Sequence, residues 1–194
     1  MPFGWNEYQA HCQKGHSTHT DTQAPALVEA QGWQPAPFGE CKINCDASFN
    51  KRRTIATAAA IMRDSAGRVI DGLVSLFLAS SAFVAEAHAV RMATMMAQAC
   101  DLNYTIVESD YKEVIQLGVG ETAPPWEGLA ILLDIHHLVR VRNLLLKWTT
   151  KNNNQVANWV GQAYACNLLP LDWVANPPAA LAALISVDVP PSLR

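Results

Sequence analysis

The chain has 194 residues; half are hydrophobic, 16% are charged, and the formal net charge is −3. That length suits one compact domain with tails better than two full domains, and the apolar fraction supports a sizeable core. The charge balance excludes a global basic field that would draw nucleic acid from a distance, so any such binding has to be local.

The five cysteines (Cys12, Cys41, Cys45, Cys100 and Cys166) are scattered and form no CxxC pair. A reduced protein, intracellular and either nuclear or cytoplasmic, is the simplest expectation. Met1–Trp5 carries no basic run, and the Ala-rich stretch up to Cys100 contains Glu86, His88 and Arg91. Neither a secretory signal nor a membrane span is therefore expected.

Residues 1–40 read as a flexible tail or linker. A short helix is conceivable around Trp5–Cys12, and the segment ends at WQPAPFG, which the prolines hold extended. Cys12, His16 and His19, with His11 beside them, resemble metal ligands. No second ligand pair follows, so a polar tail is the better reading. From Cys41 the pattern changes to period two: CKINCDASF is a strand, and Thr54–Met62 a second one whose alanines leave it ambiguous with helix. A turn over Arg63–Gly67 leads to a third strand, Arg68–Phe77. Ser81–Asp101 lacks Gly and Pro and predicts a long helix. Asn103–Glu108 is a fourth strand, and Tyr111–Leu117 a short helix closed by Gly118 and Gly120. After the Pro124-Pro125 break, Trp126–Val141 resumes helical spacing. Asn143–Thr149 is a fifth strand and Asn154–Cys166 a last helix, with a Pro-rich tail from 168 onward. The order β-β-β-α-β-α-α-β-α predicts a mixed five-stranded sheet with helices on its faces, the domain spanning 41–167.

Three carboxylates occupy apolar surroundings. Asp46 interrupts the first strand, and Glu86 shares a helix face with Phe83, Val90 and Ala93. Asp110 follows the C-terminal end of a strand, where open α/β sheets place their sites. Three such groups are tolerated together if they share divalent metal; Mg²⁺ prefers oxygen ligands, and two ions about 4 Å apart serve phosphodiester cleavage. The plainer alternative is a helix cap, an edge residue and a solvent-facing glutamate, and periodicity alone does not decide between the two.

The segments KINCDASF, IMRDSAGRVIDG, FVAEAHAVRMA and IVESDYKEVIQL together resemble the plant ribonuclease H-like domain found at the ends of non-LTR retroelement polyproteins and in stand-alone proteins. WQPAPFGECKIN is similar to that family's lead-in, KNNNQVANWVGQAY to its last helix, and LPLDWVANPPAALAALISVD to its tail. The resemblance implies an α/β, ribonuclease H-like fold whose first three strands are antiparallel. It further implies two Mg²⁺ ions, with Mn²⁺ as substitute, held by Asp46, Glu86 and Asp110, and hydrolysis of the RNA strand of RNA–DNA hybrids; a monomer is the expected state. The family's fourth acidic position is Asn158 here, a neutral ligand expected to weaken metal binding. The loop Trp148–Gln155 holds no histidine, and residues 118–128 hold no Lys or Arg, which implies weak substrate capture. Asn50, beside the basic run Lys51-Arg52-Arg53, together with Lys151 and Asn154, are the candidate substrate contacts. His136 and His137 read as an exposed pair and Met92, Met95 and Met96 as core filler. The alternatives are a catalytically degenerate nucleic-acid-binding domain of retroelement origin, and a fragment of a larger polyprotein.

Overall fold

The computed structural model describes residues 32–120 and 124–189. The possible helix near Trp5 and the Cys12–His19 group lie outside the described residues. Three ten-residue strands open the domain: β1 (Cys41–Asn50), β2 (Ile55–Asp64) and β3 (Val69–Leu78). They are followed by α1 (Ala82–Ala99), β4 (Ile106–Ser109), α2 (Lys112–Val119), α3 (Leu129–Arg142), β5 (Leu145–Trp148), α4 (Gln155–Ala165) and α5 (Ala179–Asp188). The sheet order is β3-β2-β1-β4-β5. β1, β2 and β3 pair antiparallel, whereas β4 lies parallel to both β1 and β5, giving the mixed sheet expected from the sequence.

The alanines that blur the reading of β2 have a packing reason. Ala58, Ala60 and Met62 face the larger core beneath α1, while Ala59 and Ile61 face a second core built with α4 and α5. A central strand covered on both sides reads as a continuous apolar run, and small side chains let the helices approach closely. α1 starts where the Ser81 hydroxyl accepts the Val84 N–H at 3.2 Å, a side-chain cap for an otherwise orphaned donor. α3 ends at Asn143, which takes the left-handed conformation common just past a helix.

Some boundaries differ from the sequence reading. α2 continues through Gly118 to Val119. Gly118 is there for close approach, since a Cβ would lie 2.6 Å from Leu146 Cδ1. The tail and linker are also more integrated than drawn. Trp33 and Ala36, placed in a flexible segment, are buried, and the stretch after 168 contains α5, whose Leu181 is fully buried. Trp173 lies directly over Gly72 of β3, a position where any Cβ would collide with the indole. The apolar groups of the stretch after 168, Trp173 and Leu181 among them, complete the second core, which α4 alone does not fill.

Candidate metal centre

The carboxylates converge at one end of the sheet. β1 brings Asp46, opposite Ala59 of β2, and the residue after β4 is Asp110. α1 packs across β1 and β2 and brings Glu86 over the same end, its neighbours Phe83, Val90 and Ala93 all buried in the core. One oxygen from each of Asp46, Glu86 and Asp110 lies within 4.8 Å of the others. Three residues separated widely in sequence thus meet in a group able to hold a metal ion.

The electrostatics of this group are unbalanced. Burial, and then the charge and hydrogen bond of Asp110, push Asp46 up to about 7. Burial, and then the charges of Asp46 and Asp110, push Glu86 up to about 9. The Ala47 backbone N–H and the Lys151 ammonium act in the opposite direction on both without overcoming these causes. Like-charged carboxylates in one buried place retain protons unless a cation replaces them. Glu86 Oε2 is buried with no hydrogen-bond partner. Such an orphaned acceptor is costly, and a hard divalent cation would satisfy it. The donor set, oxygen throughout, fits such an ion.

Around the triad, the remaining sequence candidates fall in different roles. Asn158 is exposed, and its side-chain oxygen accepts from Gln162 Nε2 at 2.8 Å rather than joining the three carboxylates. Asn154, expected on the substrate surface, is instead 1% exposed. Its amide donates to the Cys45 carbonyl at 2.9 Å and to Asp110 Oδ1 at 3.4 Å, so it ties the start of α4 to both β1 and the triad. Its own Oδ1 is buried and unpartnered. Asn50 is exposed, but its side-chain oxygen accepts the backbone N–H groups of Arg52 and Arg53, so it shapes the hairpin turn. Lys51, Arg52, Arg53 and Lys151 are exposed. His137 is exposed, whereas His136 is half-buried with Nε2 2.6 Å from the Leu117 carbonyl. Met92 and Met96 pack in the core, but Met95 is half exposed.

Sequence reasoning missed Trp148. Its indole N–H donates to the Asp110 carbonyl at 3.1 Å, and the Lys112 ammonium sits 5.1 Å from its ring centre. The last residue of β5 therefore fixes the backbone that carries Asp110. A lone Trp at a strand end gave no signal of this.

A family model described as reverse transcriptase-like matches residues 44–163, a span that includes all three carboxylates. The chain belongs to the reverse transcriptase-like family. No curated protein matches it in a sequence search. Among solved structures, the N-terminal RNase H domain of a Mycobacterium tuberculosis protein superposes with a TM-score of 0.60 at 15% identity, over 66% of this chain and 95% of that one. RNase H1 from Halobacterium salinarum gives 0.60 at 12% identity, over 66% and 99% respectively. LC11-RNase H1, in a complex with RNA/DNA hybrid, gives 0.54 at 18% identity, over 62% and 92%. At these identities the likeness is one of fold, and the fold of this family member is ribonuclease H-like.

Proposed function

We propose that this chain is a divalent-metal-dependent endonuclease that hydrolyses the RNA strand of RNA–DNA hybrids. The observation that carries the reading is the convergence of Asp46, Glu86 and Asp110 with an orphaned buried oxygen on Glu86. The family match and the hybrid-bound state of one structural neighbour support it.

In this reading Asp46, Glu86 and Asp110 would hold Mg²⁺, which would supply an activated water and charge stabilisation at the scissile phosphate. The chain's own groups do the positioning. β1 and β4 hold Asp46 and Asp110 on a rigid base, Asn154 and Trp148 each bond Asp110, and α1 holds the half-buried Glu86 over them. The exposed Lys51–Arg53 turn and Lys151 supply local positive charge to a protein with none to spare globally. Asn158 sits at the fourth acidic position of the resembled family and brings no charge, so metal affinity is reduced.

The test is cleavage of a labelled RNA–DNA hybrid in Mg²⁺ and in Mn²⁺ by the wild-type chain and by Asp46→Asn. Metal-dependent cleavage that disappears in the variant supports the reading. A folded wild-type chain that cuts in neither metal would transfer the assignment to a binding-only domain, the alternative favoured by the engagement of Asn158 with Gln162.

A further inference from the structure

A cavity of about 580 Å³ opens on the sheet beside the metal centre, bounded by Trp33 and Gln34 on one side and the segment from Lys147 to Asn153 on the other. α4 packs over β1, β2 and β3; the cavity is lined instead by Glu108 of β4 and Lys147 of β5, with Lys42 of β1 beside them. Its size falls within the range of about 300–1,000 Å³ typical of small-ligand sites.

The charges of its walls are not balanced. The buried Lys42 ammonium donates to the Gln34 carbonyl at 2.7 Å and to Glu108 Oε1 at 2.9 Å. Glu108 Oε2 accepts from Asn44 at 3.1 Å, so this carboxylate is fully committed. The Lys42 ammonium also lies 5.3 Å from the centre of the Trp33 ring, and Lys147 has no carboxylate partner among the described residues. Two cations against one anion leave a single net positive charge. The remaining lining is suited to a base: the half-exposed Trp148 offers an aromatic surface, and Asn152 and Asn153 offer amides.

We propose that this cavity binds one unpaired nucleotide of a nucleic-acid strand, with its phosphodiester against Lys147 and Lys42 and its base against Trp148. One net positive charge matches the single negative charge of a phosphodiester. It matches a terminal phosphate monoester, at about −1.5 to −2, less well. Stacking on an indole tolerates any base, so the site selects for an unpaired residue rather than a sequence. Trp148 touches both places, since it lines the cavity and bonds the Asp110 carbonyl. A strand end seated here would therefore lie beside the carboxylates. Binding needs neither metal nor cleavage, so the inference stands apart from the hydrolytic reading.

The experiment is a fluorescence-anisotropy titration of labelled RNA and DNA tetranucleotides with the whole chain in EDTA. Saturable binding is expected, weakened about tenfold or more by Lys147→Glu, with the slope of log affinity against log salt shallower by about 0.7, one single-strand phosphate contact. Lys147 is exposed, so its variant should keep the wild-type melting temperature, and Asn152→Ala should weaken binding severalfold. The proposal is overturned by an absence of saturable binding, or by Lys147→Glu binding as wild type does. Displacement by AMP at equal affinity would also overturn it, because the site would then serve a free mononucleotide. A chain that binds the tetranucleotide but leaves hybrids uncut keeps this site and loses only the hydrolytic reading.

Discussion

β1 carries two buried polar clusters on one face, and they are solved in opposite ways. At its start, Lys42 and Asn44 join Glu108, Arg63, Trp33 and Asp188 in a charge-paired network. Glu108 is paired with Lys42, Asn44 Oδ1 accepts from Trp33 Nε1 at 2.8 Å and from Arg63 at 3.0 Å, and Arg63 reaches Asp188 at 2.7 Å while stacking 3.4 Å over the Trp33 ring. Burial lowers Lys42 and raises Asp188, and in each case the partner's opposite charge and hydrogen bond act in the opposite sense. Four residues along the same strand, Asp46 has two carboxylates for company and protons in place of cations. The lower cluster pairs its charges within the protein, with Arg63 Nε left as a buried atom without a partner, whereas the upper one requires a cation from outside. That difference sets a charge-paired network apart from a metal site more sharply than burial or charge alone.

The comparison can be broken by removing one carboxylate from each cluster. Asp46→Asn should reduce hybrid cleavage to background and yet make the metal-free protein more resistant to urea, because it relieves repulsion; a less stable variant would mean the upper cluster is structural. Glu108→Gln should instead lower stability while leaving the three carboxylates in place. It leaves the buried Lys42 without its counter-charge, and chemical denaturation should register a loss of about 3–5 kcal/mol.

Smaller effects sharpen the picture. Asn154→Ala removes the amide that restrains Asp110 and should lower metal affinity by about 10–100-fold, as measured by calorimetric titration of Mn²⁺. The pH response has a definite sign. Asp46 and Glu86 titrate above their ordinary values of 3.8 and 4.5 when folded. The folded chain therefore holds protons that the unfolded chain has already released. Metal-free stability should be intact below the ordinary values and decline as pH rises through about 7 and then about 9, with added Mg²⁺ restoring more at the alkaline end. Melting curves at several pH values, with and without Mg²⁺, check this. Asn158→Asp should produce the least change, shifting the Mg²⁺ requirement for cleavage severalfold downward; an unchanged requirement would remove the fourth position from the account.

Much of the scaffold was legible because its signals are local. The period-two alternation in β1 and the uninterrupted helix-forming run of α1 read correctly, and the anomaly of Asp46 and Glu86 among apolar neighbours was visible too. That they meet with Asp110 was carried by the family resemblance and not by any local pattern, because convergence depends on how strands and helices cross. Glu108 passed as an ordinary strand residue since its partner Lys42 lies 66 positions away. A usable signal did exist. Lys42, Asn44 and Asp46 alternate along one face of a strand whose other face is apolar, and three polar groups in such a row announce a buried network. Asn154 was misjudged because asparagine before a helix usually caps it in solvent, whereas here it points inward.

The contact between Arg63 and Asp188 has a consequence for how the polypeptide is made. The two residues are separated by 125 positions, so a growing chain has synthesised the whole sheet before the acidic partner exists. Until then the Arg63 guanidinium, fully enclosed in the finished protein, lacks its counter-charge, although Asn44 and Trp33 are already there to contact it. Contacts this distant form late and slow the search for the native state. On the ribosome, the nascent domain should remain loose and chaperone-accessible until the last helix has emerged.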